Sequence, residues 1–295
     1  MINYERYEGL IDQGVMAKAS ILCVGAGGAA NLYRNLARAG VGKLALVDHD
    51  DISATNPATQ AFGSHQIGKK KVAALVEDIA RINPNCDVTA HPIKIQNLMP
   101  EPAFKLQDYD LILAMTDNFM VQAALNRIAC KRGIDALFAA AYYNGAAVEV
   151  TGSFRCSIEA GCGCHRCNTY LRYKAYADGF KPTRNAGSHI FQAEYLNALL
   201  GNMVVSLLHD NAGSELGNPH LAQRFLASPL IVSRLNPTYA AQENEAFSCI
   251  PADQATFTTR HWPRDLPPGF VCADCGTTYP DYRAGASKCA IIDRS

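Results

Sequence analysis

The sequence predicts an α/β protein: a Rossmann-like, mostly parallel sheet with helices on both faces, plus a zinc-stapled C-terminal half. Three observations predict it. A strand, a glycine turn and a helix stand in direct succession near the start of the chain. Apolar runs of strand length then alternate with helical stretches as far as residue 150. Two Cys-x-x-Cys pairs lie far apart in the second half.

The first element is "ASILCVGAGGAA" (19–30), a buried strand, a glycine turn and a helix start. The helix continues as "NLYRNLARAG", with Leu32, Leu36 and Ala39 near helical spacing, and Gly40 closes it. "KLALVDHD" (43–50) is the second strand of this βαβ unit. Gly25, Gly27 and Gly28 let the backbone approach a phosphate, and the helix N-terminus offers free N–H groups. Ala30 stands at the third glycine position, where only close helix–strand packing is needed. Asp48 ends the second strand, the place of an acid that accepts hydrogen bonds from ribose hydroxyls. A tight turn without a ligand is the bland reading of the same residues.

The alternation continues. "IGKKKVAALVEDIARINP" (67–84) predicts an amphipathic helix and "DVTAHPIKI" (87–95) a short strand. "YDLILAMTDN" (109–118) predicts a buried strand, "FMVQAALNRIACKRG" (119–133) a helix, and "ALFAAAYYNGAAVEV" (136–150) further strand. Ligands on such sheets sit at the C-terminal strand ends, where Asp48, Asp50 and Asp117 gather.

Composition narrows the function classes. The chain has 295 residues, zero formal charge and no basic patch suited to nucleic acid. Its apolar windows are interrupted by charge, so no membrane span is expected. "MINYERYEGLIDQG" lacks an apolar signal core, which points to the cytoplasm. The 11 cysteines then read as thiols or metal ligands rather than disulfides.

Three features set the first half apart from an NAD-dependent dehydrogenase. Asn56 and Gln60 follow directly on Asp48 and Asp50. Lys69, Lys70 and Lys71 stand at a helix N-terminus, where cations oppose the helix dipole. A triphosphate would turn that penalty into a gain. Lys71 is singled out, with the other two left as a solvated charge run. Asp117 ends a strand on the same crevice and suits Mg²⁺, which prefers carboxylate and phosphate oxygens. The bland alternatives are a helix N-cap for Asp117 and a turn residue before Pro57 for Asn56.

The pieces "VGAGGAA", "AGVGKLALVDHD", "ISATNPATQ", "IGKKKVAAL", "INPNCDV" and "LAMTDN" together resemble the adenylating domain of the ThiF/MoeB/ubiquitin-activating superfamily. Their order and spacing agree over roughly residues 15–150. The resemblance implies ATP and Mg²⁺. By position, Asp48 would hold the ribose, Asn56 and Lys71 the phosphates, and Asp117 the magnesium. It implies adenylation of the C-terminal glycine carboxylate of a small ubiquitin-like or sulfur-carrier protein. On that basis residues 1–155 form the adenylation region and 156–295 a zinc-containing region for carrier binding and homodimerisation, in one continuous domain.

Two departures from the family pattern stand out. Thr59 occupies the place of a phosphate-contacting arginine, and Gly9 the place of an N-terminal arginine finger, although Arg6-Tyr7 remains. Arg34, one helical turn past the glycine loop, is a candidate substitute; a solvated helix arginine is the alternative.

In the second half, "GCGCHRCNTY" (161–170) holds Cys164 and Cys167, and "FVCADCGTTY" (270–279) holds Cys272 and Cys275. Two such pairs complete a tetrahedral Cys₄ zinc site. Residues 168–271 between them are too many for an independent finger, so the site reads as a staple between a loop and the C-terminal tail. Cys162 and His165 lie close enough to compete as ligands. "HIFQAEYLNALLGNMVVSLLHD" (189–210) predicts an apolar helix for a core or dimer interface, and "PLIVSRLNPTY" (229–239) a late strand. Thioester-forming relatives carry a cysteine in the crossover loop, here "KAYADGFKPTRNAGSH" (174–189), which has none. Cys249 is the alternative thiol, against an ordinary free cysteine.

Three whole-protein readings follow. The first is an ATP-dependent adenylyltransferase. The second is a degenerate adenylation fold that docks a carrier or an active subunit. The third is an NAD-dependent oxidoreductase, which leaves the polar run, the lysines and the zinc pairs unexplained.

Overall fold

The apolar run Ser20–Val24 forms β1, with every residue after Ser20 buried. The computed structural model that shows it describes residues 2–142, 145–180, 189–236, 258–261 and 266–279. Along the chain come α1 (Gln13–Lys18), β1, α2 (Ala30–Arg38), β2 (Lys43–Val47), α3 (Lys71–Ile82), β3 (Asp87–His91), α4 (Ile95–Leu98) and β4 (Leu111–Ala114). Then follow α5 (Phe119–Arg132), β5 (Asp135–Ala141), β6 (Ala147–Ser153), α6 (Arg155–Glu159), α7 (His165–Asn168) and α8 (Tyr170–Ala177). The last elements are α9 (Ile190–Asn211), α10 (Pro219–Ala227), β7 (Leu230–Arg234) and β8 (Thr258–His261). The fold is mixed α/β, as expected. The chain groups into two units, one of residues 1–121 with 189–222, the other of 122–188 with 223–295.

In the first unit β1 pairs parallel with both β2 and β4, and β2 pairs parallel with β3. Strands buried on both faces need continuous apolar sequence, and Ile21–Val24, Leu44–Val47 and Leu111–Ala114 supply it. Helix α2 buries Leu32, Tyr33, Leu36 and Ala37 and packs against α3 and α9. The helix ends at Arg38, so Ala39 falls outside its apolar face, and Ala37 fills that place instead. Helix α9 buries Ala193, Asn197, Leu200, Val204 and Leu207 along one side, while Phe191 is exposed. The predicted strand at 87–95 stops at His91, where the chain turns into α4.

In the second unit the ladders β5–β6, β6–β7 and β7–β8 are antiparallel. Strand β6 is buried throughout and carries Glu149, whose carboxylate accepts from Arg172 at 2.7 Å and from the Tyr142 hydroxyl at 2.5 Å. A buried charge needs such a partner. Burial alone would lower the Arg172 pKa, but Glu149 and Tyr142 outweigh it and hold that pKa above its ordinary value.

Candidate nucleotide and zinc sites

The glycine turn follows β1 directly. Gly25 has φ +92°, and a Cβ there would lie 2.5 Å from the Met115 carbonyl oxygen, so only glycine fits. A Cβ on Gly27 would lie 2.9 Å from the Gln60 amide, whereas Gly28 faces open space. The turn is held from several sides. The Tyr33 hydroxyl donates to the Gly25 carbonyl, and Asn197 Nδ2 donates to the Gly28 carbonyl at 2.9 Å. Asn31 Nδ2 donates to Glu194 at 2.6 Å.

Asp48 sits at the end of β2, as predicted. Its Oδ2 accepts from the Ala26 amide at 2.7 Å and its Oδ1 from the Asp50 amide at 2.9 Å. An ionised carboxylate has about four acceptor sites, so two remain for ribose hydroxyls. Asn56 Oδ1 accepts from the Ser53 amide at 2.8 Å, which makes Asn56 a turn residue and leaves its amide nitrogen end for a ligand. Gln60 lies against Gly27, and its Oε1 is buried without a hydrogen-bond partner. An orphaned buried acceptor beside a glycine turn suits a polar ligand that donates to it.

All three lysines of the run are ion-paired. Lys69 reaches Glu77 at 2.8 Å, Lys70 reaches Asp51 at 2.9 Å, and Lys71 reaches Asp50 at 3.0 Å. The side chains of Lys69 and Lys70 are 44% and 41% exposed and that of Lys71 only 8%. Burial pulls the Asp50 carboxyl up, but Lys71, with His49 and Lys70, more than offsets this and holds it below its ordinary value.

Asp117 is exposed in the loop after β4, next to the glycine turn's contact at Met115. It does not cap α5. Asn118 does so, its Oδ1 accepting from the Met120 amide at 3.0 Å and the Val121 amide at 3.3 Å. The cap role that competed for Asp117 therefore falls on its neighbour.

Arg34 is not a solvated helix arginine. It is 8% exposed, with Nε and Nη2 donating to Asp78 Oδ2 at 3.1 and 2.7 Å. Gln66 Nε2 donates to the same oxygen at 3.0 Å, and Gln66 Oε1 accepts from the Gly63 amide at 2.9 Å. The guanidinium lies 5.5 Å over the Phe62 ring. This knot ties the loop after Gln60 to α2 and α3. A cavity of about 540 Å³ opens beside it, lined by Asn31, Arg34, Gln60, Phe62, Asp78 and Glu194 among others.

In the second unit Cys164, Cys167, Cys272 and Cys275 converge. Their Sγ atoms stand 3.8 Å (164–167), 3.7 Å (164–272) and 3.7 Å (167–275) apart. A tetrahedron with Zn–S bonds of about 2.3 Å has edges of about 3.8 Å, so the four sulfurs fit zinc. The neighbouring candidates separate from this set. His165 is fully buried, stacks on Phe138 at 4.3 Å and places Nδ1 2.6 Å from Thr151 Oγ1. Burial, with the Arg172 charge adding to it, holds the His165 pKa well below its ordinary value, so the ring is neutral. Cys162 is buried and outside the group of four. Cys249 lies outside the described residues.

A family model described as the ThiF family matches residues 4–244. The chain belongs to the ThiF family. The molybdopterin-synthase adenylyltransferase of Escherichia coli is 33% identical over 166 residues, which are 54% of this chain and 62% of that protein. The adenylyltransferase and sulfurtransferase UBA4 of Kluyveromyces lactis is 33% identical over 129 residues, 43% of this chain but 28% of that protein. This ThiF-family chain thus matches less than two thirds of the length of either relative. The crystal structure of E. coli MccB shares the fold, with TM-score 0.61 and 18% identity over 90% of this chain and 67% of that one. PaaA follows with TM-score 0.56 and 17% identity over 84% of this chain and 73% of that one.

Several residues of this ThiF-family site lie outside its sequence motifs. Asn197 and Glu194 stand in α9, which reads in sequence as an apolar helix. Their polar spacing of three inside that helix is the available signal. Asp78 and Gln66 carry no signal, because their partner Arg34 is distant in sequence.

Proposed function

We propose that this ThiF-family protein uses ATP and Mg²⁺ to adenylate the C-terminal carboxylate of a small ubiquitin-like or sulfur-carrier protein. The observation that carries the reading is the conjunction of Asp48 and the orphaned Gln60 oxygen at one glycine turn, with the buried Lys71 held by Asp50 just after Asp48. The carrier as substrate is supported by relatives named molybdopterin-synthase adenylyltransferase and adenylyltransferase and sulfurtransferase UBA4.

The chemistry follows from these groups. A carboxylate is a poor electrophile, and attack of its oxygen on the α-phosphorus of ATP gives an acyl adenylate and releases pyrophosphate. Charge builds on phosphate oxygens, so catalysis is positioning plus cationic stabilisation. Asp48 orients the ribose through its two remaining acceptor sites. The amides of the Gly25–Gly28 turn and Asn56 contact the phosphates. Lys71 exchanges Asp50 for a phosphate oxygen. Asp117 would hold Mg²⁺, which would neutralise charge on the phosphates. Arg34 serves by holding the loop of Asn56 and Gln60, through Asp78 and Gln66. The protein acts as a homodimer in the cytoplasm. None of the described cysteines is in a disulfide, which suits a reducing compartment.

Calorimetric titration with ATP and Mg²⁺ tests the reading. Micromolar binding by the wild-type chain, weakened at least tenfold in Asp117→Ala, is the expected result, followed by pyrophosphate exchange when a carrier is added. A second reading, a non-catalytic docking partner, is favoured by one observation: Lys71 and Arg34 are both engaged by acids while Thr59 and Gly9 replace arginines. Absence of ATP binding by folded protein would select it.

A further inference from the structure

Each zinc knuckle places one charged residue between its cysteines. Arg166 lies between Cys164 and Cys167, and Asp274 between Cys272 and Cys275. These two residues meet: Arg166 Nη1 donates to Asp274 Oδ1 at 3.3 Å. The Asp274 side chain is 1% exposed. Its Oδ1 also accepts from Arg127 Nε at 3.4 Å, and its Oδ2 from Asn126 Nδ2 at 2.8 Å. Asn126 is fully buried, and the same Nδ2 stands 3.6 Å from Cys164 Sγ. Its Oδ1 accepts from Ser153 Oγ at 2.6 Å, and Ser153 Oγ accepts from the His165 amide at 2.8 Å. One amide side chain therefore touches a ligand sulfur, the acid of the second knuckle and the strand beneath the first.

A buried carboxylate costs several kcal/mol unless paired and hydrogen-bonded. Here its donors come from α5 and from the opposite knuckle, so the cost is offset only when the tail is docked. Among the described residues the knuckle is also closed on itself by an isolated bridge between Val271 and Thr278, and Phe270 and Tyr279 pack with Tyr170 and the cysteine cluster. We propose that Asp274, Arg166 and Asn126 form a latch that docks the C-terminal knuckle, holds the four sulfurs at tetrahedral spacing, and slows zinc release. The proposal rests on the Cys₄ set holding zinc. Asp274, Arg166 and Asn126 are positioning residues, since none of them is a ligand.

The test is the rate of zinc transfer from the full-length protein to an excess of a chromogenic chelator, with zinc content measured beforehand. Residues that orient metal ligands cost about ten- to a hundredfold in metal affinity when removed. Asp274→Asn and Asn126→Ala are each expected to release zinc about ten- to a hundredfold faster, with the zinc-loaded thermal midpoint still reporting a folded chain. Arg166→Met is expected to be faster by a smaller factor, and Arg166→Met with Asp274→Asn no faster than Asp274→Asn alone. Should Asp274→Asn fail to fold, Asn126→Ala and Arg166→Met carry the same readout. Release within twofold of wild type in every folded variant overturns the latch, as do additive effects in the double variant. Wild-type protein that contains no zinc and takes none up overturns the zinc reading itself, and the latch with it.

Discussion

At the scale of single residues, the cations of this molecule are distinguished by their pairing. Lys71, a phosphate partner by resemblance, and Arg34, the candidate substitute for a missing arginine, each have an acid within 3.0 Å. They differ in how many bonds hold them. Among the described residues Lys71 has one side-chain partner, Asp50, which is 52% exposed and accessible to water. Arg34 donates twice to Asp78, which is itself fixed by Gln66. Arg34→Ala leaves Asp78 without its main donor and is expected to cost about 3 kcal/mol of stability. Under the proposed function it also raises the KM for ATP more than it lowers kcat. Urea unfolding and steady-state kinetics check the two parts. A loss of kcat with unchanged stability would instead make Arg34 a phosphate contact.

At the scale of elements, the buried polar contacts decide how strands and helices are locked. The α2–α3 contact carries the Arg34–Asp78 pair. Burial raises the Asp78 carboxyl, but hydrogen bonds from Arg34 and Gln66 more than offset it, so its folded pKa lies below the unfolded value. The sign follows from linkage. The contribution is complete above about pH 4, the unfolded aspartate range, and is lost as pH falls through the folded value. Stability measured between pH 6 and pH 3 should therefore fall less steeply in Asp78→Asn than in wild type. In the second unit, Arg172→Met strands the buried Glu149 carboxylate of β6 and is expected to cost about 3–5 kcal/mol. Adding Glu149→Leu should recover most of it, because a well-packed apolar pair often replaces a buried ion pair without loss. Chemical denaturation of the single and double variants decides the point.

At the scale of the whole molecule, ligands report on each site through stability. ATP with Mg²⁺ at a hundred times its Kd should stabilise the folded chain by about 2.7 kcal/mol, and Asp117→Ala, binding at least tenfold more weakly, should forfeit at least about half of this at the same ATP concentration. Chelation of zinc should lower the thermal midpoint, and restoring zinc should reverse it. NAD at millimolar concentration should leave the midpoint unchanged; a rise with NAD and none with ATP would return the protein to the oxidoreductase reading.

Features whose cause is local are legible in the amino-acid sequence alone. The glycine turn after β1, the acid ending β2 and the lysine opening α3 are each legible from their own few neighbours, since their physics is that of a tight turn, a strand end and a helix start. The zinc ligands are legible for a related reason, since a Cys-x-x-Cys pair presents two sulfurs to one metal whatever surrounds it. Features whose cause is a contact between distant residues are not legible in this way. The N-cap of α5 is a local exception, since Asn118 rather than Asp117 turns its Oδ1 back to the Met120 and Val121 amides. Arg34 is an anchor because α3 brings Asp78 beneath it, and Asn197 supports the glycine turn because α9 packs on α2. Asp274 reads as one more charged tail residue until Asn126, Arg127 and Arg166 surround it. Sequence patterns record which residues favour burial or a turn. The partner that satisfies a buried charge or amide is chosen only when packing brings the two together, and in this protein that choice separates anchors from ligand-binding groups.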